Sequence, residues 1–265
     1  MNATWNRWVQ ENLERGCKTK EIVSILQKNQ FEQEEIITTL LAHWADMRGL
    51  TKLFSHHPFY RNSIINNPMV TSHCSQEIQL FSIDHFLHPS ECLWLISAID
   101  RELQPSEITI EEGSNTFRTS QTSHLNLDPI EAEMRIHIEN RISILLGIPP
   151  VYGEKTQGQK YSVGQEFKAH TDTFEPESEE FETFAHILGQ RTWTCMIYLN
   201  DTPKGGQTRF TELDISFSPQ MGQALIWNNL KEDGTPNPYT THHGMPVLAG
   251  EKYIITKWFR ENSDI

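Results

Sequence analysis

The sequence predicts a mainly β protein with flanking helices, preceded by a small helical region. Three observations carry that expectation. After Gly147 the apolar residues fall into short runs separated by Gly, Pro and Asp turns as far as Phe259. A succession of strands without intervening helices suggests a sandwich or barrel rather than βαβ units. Two helical patterns precede that run, one after Pro89 and one from about Pro129 to Leu146. The first 75 or so residues show helical periodicity alone. A chain of 265 residues has room for one large domain and a small one, divided here into residues 1–75 and 76–265.

The elements follow in order. A first helix is expected around Trp5 to Leu13. Ile22, Ile25 and Leu26 fall on one face of a second, and Ile36, Ile37, Leu40 and Leu41 make a further stripe. Asn29-Gln30-Phe31 connects them, while Ser55-His56-His57-Pro58 and Asn66-Asn67-Pro68 read as loop or linker. A module of this size either docks as a cap on the larger domain or serves dimerisation or partner contact. From Glu77 the pattern changes: Ile78, Leu80 and Ile83 suggest a strand. Pro89-Ser90-Glu91 opens a helix, with Ser90 as the expected N-cap and Leu95, Ile96 and Ile99 along it. Met134, Ile136, Ile138, Ile142 and Leu145 mark the next helix.

Composition narrows the function. A 37% hydrophobic, 22% charged chain is neither disordered nor collagen-like. The net charge of −13 argues against nucleic acid or an anionic membrane as main partner, since both attract basic surfaces. No run approaches the ~18 apolar residues of a membrane span. The N-terminal residues lack an apolar signal core. Cys17, Cys74, Cys92 and Cys195 are scattered without CxxC spacing, which suggests free thiols and a cytoplasmic location. Walker, GxGxxG and GxSxG motifs are absent, and His85-Phe86-Leu87-His88 lacks a second ligand pair for zinc.

The chemistry gathers in two segments. Tyr161-Ser162-Val163-Gly164-Gln165-Glu166-Phe167-Lys168-Ala169-His170-Thr171-Asp172 ends in an H-x-D pair, whose members point to one side of a strand. Alone, HxD is common by chance. About seventy residues later, Thr241-His242-His243-Gly244-Met245-Pro246 offers a third imidazole, and Lys252 follows ten residues after His242. Two His and one carboxylate on one face of a metal leave three open positions, as in non-haem Fe(II) oxygenases. A bidentate 2-oxo acid and O2 would fill them, and Lys252 would meet a distal carboxylate as a point charge.

From about Ile78 to Arg260 the chain resembles the prolyl 4-hydroxylase branch of the iron- and 2-oxoglutarate-dependent dioxygenases. The likeness rests on Phe86 to Cys92, Arg118-Thr119-Ser120, Tyr161 to Asp172, Arg191 to Asn200, Gly205-Gly206-Gln207-Thr208-Arg209-Phe210, Pro219 to Leu230 and His242 to Phe259. It implies a double-stranded β-helix, or jelly roll, flanked by helices. It also implies His170, Asp172 and His242 as iron ligands, His242 being preferred over His243 because it stands four residues before Pro246. Lys252, Tyr161 and Thr194 match cosubstrate-binding positions, and Arg191 and Trp258 match positions lining the substrate proline's site. Lys252, Ile254, Thr256 and Trp258 share one strand face by alternation.

The implied activity is hydroxylation of a C–H bond, of a peptidyl proline above all, with Fe(2+), 2-oxoglutarate, O2 and L-ascorbate, releasing succinate and CO2. The alternatives are another side chain, a free amino acid, or a non-catalytic jelly-roll binding protein. The implied partner is a peptide or protein substrate, with a homodimer or partner protein at the N-terminal helices. Two features depart from the plain pattern. One is that helical region. The other is the acidic stretch Glu175-Pro176-Glu177-Ser178-Glu179-Glu180-Phe181-Glu182, either a solvated loop or a lid favouring a basic peptide.

Overall fold

The computed structural model describes residues 1–15, 17, 19–32, 35, 36, 39, 70–106, 118–127 and 129–263. Helix α1 (Ala3–Glu14) begins where the Asn2 side chain accepts from the amides of Thr4 and Trp5, satisfying two donors that a helix start leaves open. Helix α2 (Thr19–Lys28) packs its Ile22 and Leu26 against Val9 of α1 and against Ile36. Trp5 closes this small core edge-on to Trp8 and Phe31, with ring centroids 5.4 and 5.3 Å away. The rest of the expected Ile36–Leu41 stripe and both expected linkers lie outside the described residues.

Helix α3 (Pro89–Asp100) is capped two residues earlier than expected. Its N-cap is His88, not Ser90: the imidazole accepts from the Ser90 amide while Glu91 reaches back to the His88 amide at 2.8 Å. Pro89 occupies the first helical position, where a missing N–H and a fixed φ cost nothing, so the cap moves ahead of it. Helix α4 (Pro129–Leu146) buries Ile138, Ile142 and Leu146, one residue per turn.

Fourteen strands form among the described residues. The larger sheet has the order β1-β2-β11-β7-β14-β5-β4-β3. In that order the strands span Val70–Ser72, Leu80–Ile83, Ala224–Asn228, Arg191–Tyr198, Lys252–Arg260, Gln157–Tyr161, Gln121–Ser123 and Gln104–Pro105. A second sheet, β10-β9-β12-β6, uses Ile215–Phe217, Thr208–Phe210, His242–Gly244 and Phe167–His170. A short pair, β13 (Val247–Ala249) and β8 (Lys204–Gly205), joins the two at one end. All recorded pairings are antiparallel, in the manner of a jelly roll.

The two faces of β14 explain the layers. Tyr253, Ile255 and Phe259 join a core with Cys92, Leu95 and Ile99 of α3 and Ile138 and Ile142 of α4. Ile254 faces the other way, into a core with Tyr161, Met196, Trp227 and Phe210. Helices therefore cover one side of the large sheet, and the small sheet covers the other. No described helix is long and apolar enough to cross a membrane.

Candidate active site

The small sheet brings together the candidate metal-binding side chains. Strand β12 pairs with β6 so that His242 stands directly opposite His170, and Asp172 follows two residues after the end of β6. One donor atom from each of His170, Asp172 and His242 lies within 4.8 Å of the others. His170 Nδ1 donates to the Lys168 carbonyl at 2.7 Å, and His242 Nδ1 donates to the Thr240 carbonyl at 2.9 Å. A carbonyl only accepts, so both rings carry their proton on Nδ1 and leave Nε2 bare. Burial, reinforced by His242, pulls the His170 pKa down to about 3, which keeps that ring neutral. Burial opposes ionisation of Asp172, yet the two imidazoles, Arg191 and a Thr194 hydrogen bond hold its carboxyl below the usual range. Two imidazoles that present Nε2 and a carboxylate suit a divalent metal with N/O preference.

His243 points away from this cluster. Its Nε2 meets Glu166 Oε2 at 2.8 Å, as adjacent strand residues facing opposite sides require.

Behind the triad a narrow pocket runs along the β14 face. Lys252, Ile254, Thr256 and Trp258 all line it, with Tyr161 and Thr208. Lys252 is 2% exposed, and its Nζ lies 5.0 Å from the Tyr161 ring centroid and 5.5 Å from that of Tyr198. It forms no ion pair among the described residues. Burial alone brings its pKa down to about 7. Gly206, at φ +72°, passes this lysine closely: a Cβ there would sit 3.3 Å from Lys252 Cδ.

In front of the triad lies a wider cleft. Arg191 and Trp258 form one wall, with the guanidinium 4.0 Å from the Trp258 ring centroid. Glu154 grips Arg191 through two hydrogen bonds of 2.6 and 2.8 Å and also accepts from Arg260 at 3.1 Å. Burial would push the Glu154 carboxyl up, but the two arginines hold it below its usual range. Phe174, Glu180 and Phe184, from the strap that contains the acidic stretch, also line the cleft, with the Phe174 ring centroid 5.1 Å from the Arg191 guanidinium. Gln190 clamps that strap by accepting from the Phe174 amide at 2.9 Å and donating to the Phe174 carbonyl at 2.6 Å. Arg260 donates to the Phe184 carbonyl.

A family model of the 2OG-Fe(II) oxygenase superfamily matches residues 156–260. Probable prolyl 4-hydroxylase 8 of Arabidopsis thaliana is 33% identical over 208 residues, spanning 70% of this chain and 69% of the relative. Probable prolyl 4-hydroxylase 3 of the same plant is 31% identical, spanning 69% of this chain and 70% of the relative. The chain belongs to the prolyl 4-hydroxylase family. It is thus a 2-oxoglutarate- and iron(II)-dependent dioxygenase. The 2-oxoglutarate complex of the viral collagen prolyl hydroxylase from Paramecium Bursaria Chlorella virus-1 superposes with a TM-score of 0.54 at 25% identity. It covers 68% of this chain and 95% of the other.

For a prolyl 4-hydroxylase, the described geometry brings most of the expected residues together. His170, Asp172 and His242 converge, Lys252 and Tyr161 share the rear pocket, and Arg191 and Trp258 stack in the front cleft. Thr194 lies beside the triad: its hydroxyl donates to Asp172 Oδ2 at 2.6 Å and accepts from Asn229 Nδ2 at 2.8 Å. Thr208 lines the rear pocket, and its hydroxyl oxygen accepts from Tyr198 at 2.7 Å. Sequence reasoning passed over Thr208 although it closes the Gly205-Gly206-Gln207-Thr208 run. Glu154 and Asn229 were also missed, since a lone Glu or Asn carries no spacing signal. Arg118 was noted only as part of a motif. It faces the front cleft, its guanidinium 4.8 Å from the Phe167 ring centroid and bonded to Ser120 and Thr122 at 3.2 Å.

Proposed function

We propose that this chain hydroxylates a peptidyl proline, with His170, Asp172 and His242 holding Fe(2+) and Lys252 receiving the distal carboxylate of 2-oxoglutarate. The observation that carries the reading is the continuity of two spaces at one triad: a narrow rear pocket ending at an uncompensated buried lysine, and a front cleft walled by stacked Arg191 and Trp258. Among the family's relatives, those named prolyl 4-hydroxylase support the proline assignment.

The bound iron, with 2-oxoglutarate and O2, supplies the oxidising power that inserts one oxygen atom into a C–H bond and releases succinate and CO2. This chain's residues do the rest. Both histidines present Nε2 because backbone carbonyls hold Nδ1. Lys252 fixes the cosubstrate's far end in a wall of buried apolar and aromatic side chains, where an ion pair is weakly screened. Tyr161 and Thr208 offer hydroxyls beside it. Trp258 and the Arg191 guanidinium stacked on it, held there by Glu154, together form the cleft wall that meets the substrate proline. Water is excluded behind the triad because Tyr161, Trp227 and Ile254 are buried there.

Finer points follow from the same reading. L-ascorbate would rescue iron oxidised in unproductive cycles. Glu180 on the cleft wall and the exposed Glu175, Glu177, Glu179 and Glu182 beside it favour basic residues flanking the proline. Helices α1 and α2, with a core of their own, serve as a dimerisation or partner-contact module, the unit expected over residues 1–75 giving way to the large sheet at Val70–Ser72. Four free cysteines support a reducing, cytoplasmic setting.

The deciding experiment loads the chain with Fe(II) under anaerobic conditions, then follows succinate release in air with proline-containing peptides. Peptide-stimulated succinate, with a mass gain of one oxygen atom on the peptide, is expected, and Asp172→Ala should abolish both. Succinate release that no proline peptide stimulates rejects proline as the acceptor. Matched basic and acidic peptides at low salt test the strap, and equal efficiencies reject its role.

A further inference from the structure

The position of Asn229 suggests a task that lies beyond the ligand set itself. Asn229 follows the last residue of β11, is fully buried, and has its backbone fixed independently: its amide donates to the Thr192 carbonyl at 2.8 Å, and its carbonyl accepts from Asn237 at 2.9 Å. Its side-chain amide donates to Thr194 Oγ1 at 2.8 Å, and Thr194 donates to Asp172 Oδ2 at 2.6 Å.

The proton directions in this chain are determined. An ionised carboxylate only accepts, so the Thr194 hydroxyl proton must point at Asp172. The Thr194 oxygen is then left as an acceptor, and Asn229 must present Nδ2 to it. Turned over, the amide would present Oδ1 and compete with Asp172 for the same proton. In the observed orientation Oδ1 has no hydrogen-bond partner among the described residues, so the amide is committed to its donor role.

The consequence falls on the other oxygen. Asp172 Oδ1 lies 4.0 Å from His170 Nε2, while Oδ2 accepts the Thr194 proton. We infer that the Asn229–Thr194 pair is a positioning device that presents Asp172 through one oxygen only, leaving the remaining metal positions free for the cosubstrate. A carboxylate free to swing would bring both oxygens to the metal and occupy a position that a bidentate 2-oxo acid needs. The inference rests on the metal-site reading of the triad.

The test uses the full chain stripped of metal and titrated with Co(II), followed by its visible spectrum, without cosubstrate. Thr194→Val, which keeps shape and loses the hydroxyl, should weaken Co(II) binding roughly 10- to 100-fold, the range seen when a partner of a metal ligand is removed. Thr194→Ser should stay close to the unaltered chain. Asn229→Leu should fall between, because the hydroxyl remains but is no longer aimed. The Co(II)-loaded Thr194→Val chain should also bind 2-oxoglutarate more weakly, and its visible spectrum should change less on that addition. Thermal midpoints of the metal-free variants separate loss of aim from loss of fold. Co(II)-loaded Thr194→Val and Asn229→Leu chains that bind 2-oxoglutarate as tightly as the unaltered Co(II)-loaded chain would overturn the inference alone. An unaltered chain that takes up no Co(II) would overturn the metal-site reading with it.

Discussion

Replacing Lys252 with methionine tests the rear pocket and separates two effects of opposite sign. In the metal-free, cosubstrate-free chain the lysine is a liability. Burial lowers its pKa from an ordinary 10.5 to about 7. At 1.36 kcal/mol per unit that is roughly 5 kcal/mol against the charged form. The sign follows from proton counting. Between pH 7 and 10.5 the unfolded chain holds a proton on this amine that the folded chain has lost, so stability rises with pH across that window. Below pH 7 the full penalty applies. Lys252→Met removes it at similar length. Each kcal/mol moves the midpoint by roughly 2–4 °C in a chain of this size, so a rise on the order of 10 °C is expected near pH 6. The gain should fade towards the ordinary lysine pKa.

The cosubstrate sees the reverse. Removing one partner of a buried charge pair costs roughly 2–5 kcal/mol, so the 2-oxoglutarate KM should rise between roughly 30-fold and a few thousand-fold. Calorimetric scans over pH, together with succinate release against 2-oxoglutarate concentration, give both numbers. An unchanged KM would refute the assignment of the distal carboxylate to Lys252. A variant less stable than the parent chain at pH 6, with no dependence on pH, would refute the burial argument.

Other substitutions read other parts of the structure. Glu154→Ala leaves Arg191 and Arg260 without their shared carboxylate; removing one partner of a buried pair costs about 3–5 kcal/mol, so thermal unfolding should show a clear loss, and the peptide KM should rise. Burial would push the Glu139 carboxyl up, but Lys257, Thr156 and Arg135 hold it below its usual range. Its contribution is therefore complete above the ordinary carboxylate pKa and lost as pH falls through the lowered one. Glu139→Gln should flatten that acid limb in urea titrations at graded pH. Gly158→Ala would place a Cβ 2.3 Å from Ile99 of α3; overpacking of this kind costs about 1–3 kcal/mol, measurable as a lower denaturation midpoint. A chelator should lower the midpoint of the iron-loaded chain and leave that of Asp172→Ala unmoved, because binding to the folded state alone stabilises it.

Much of this was readable before any coordinates. Helix α4 fell on the expected residues because its apolar positions repeat once per turn and Gly147 stops it. The β14 face was readable because alternation alone places Lys252, Ile254, Thr256 and Trp258 on one side, where all four line the rear pocket. The convergence of His170, Asp172 and His242 was readable because two segments supplied metal-type donors at family-like spacing. What escaped was set by tertiary neighbours. His88 caps α3 because Glu91 and Ser90 complete it from the helix side. Thr194 and Thr208 are both buried strand threonines, and only the packing of β7 against β11 and of β9 against Tyr198 assigns one to Asp172 and the other to the pocket. Glu154 lies 37 residues from Arg191, a distance across which no local pattern operates.

Trp258 is a wall of both the rear pocket and the front cleft, with the triad between them. Stacking two compartments in series has a kinetic consequence. Under the assignment proposed above, with 2-oxoglutarate in the inner space and the peptide in the outer, 2-oxoglutarate is expected to bind before the peptide, and excess peptide should slow the reaction by trapping enzyme that has not yet received its cosubstrate. Phe167, His170, Asp172 and Trp258, which line both spaces, form the boundary that such an order of traffic would cross.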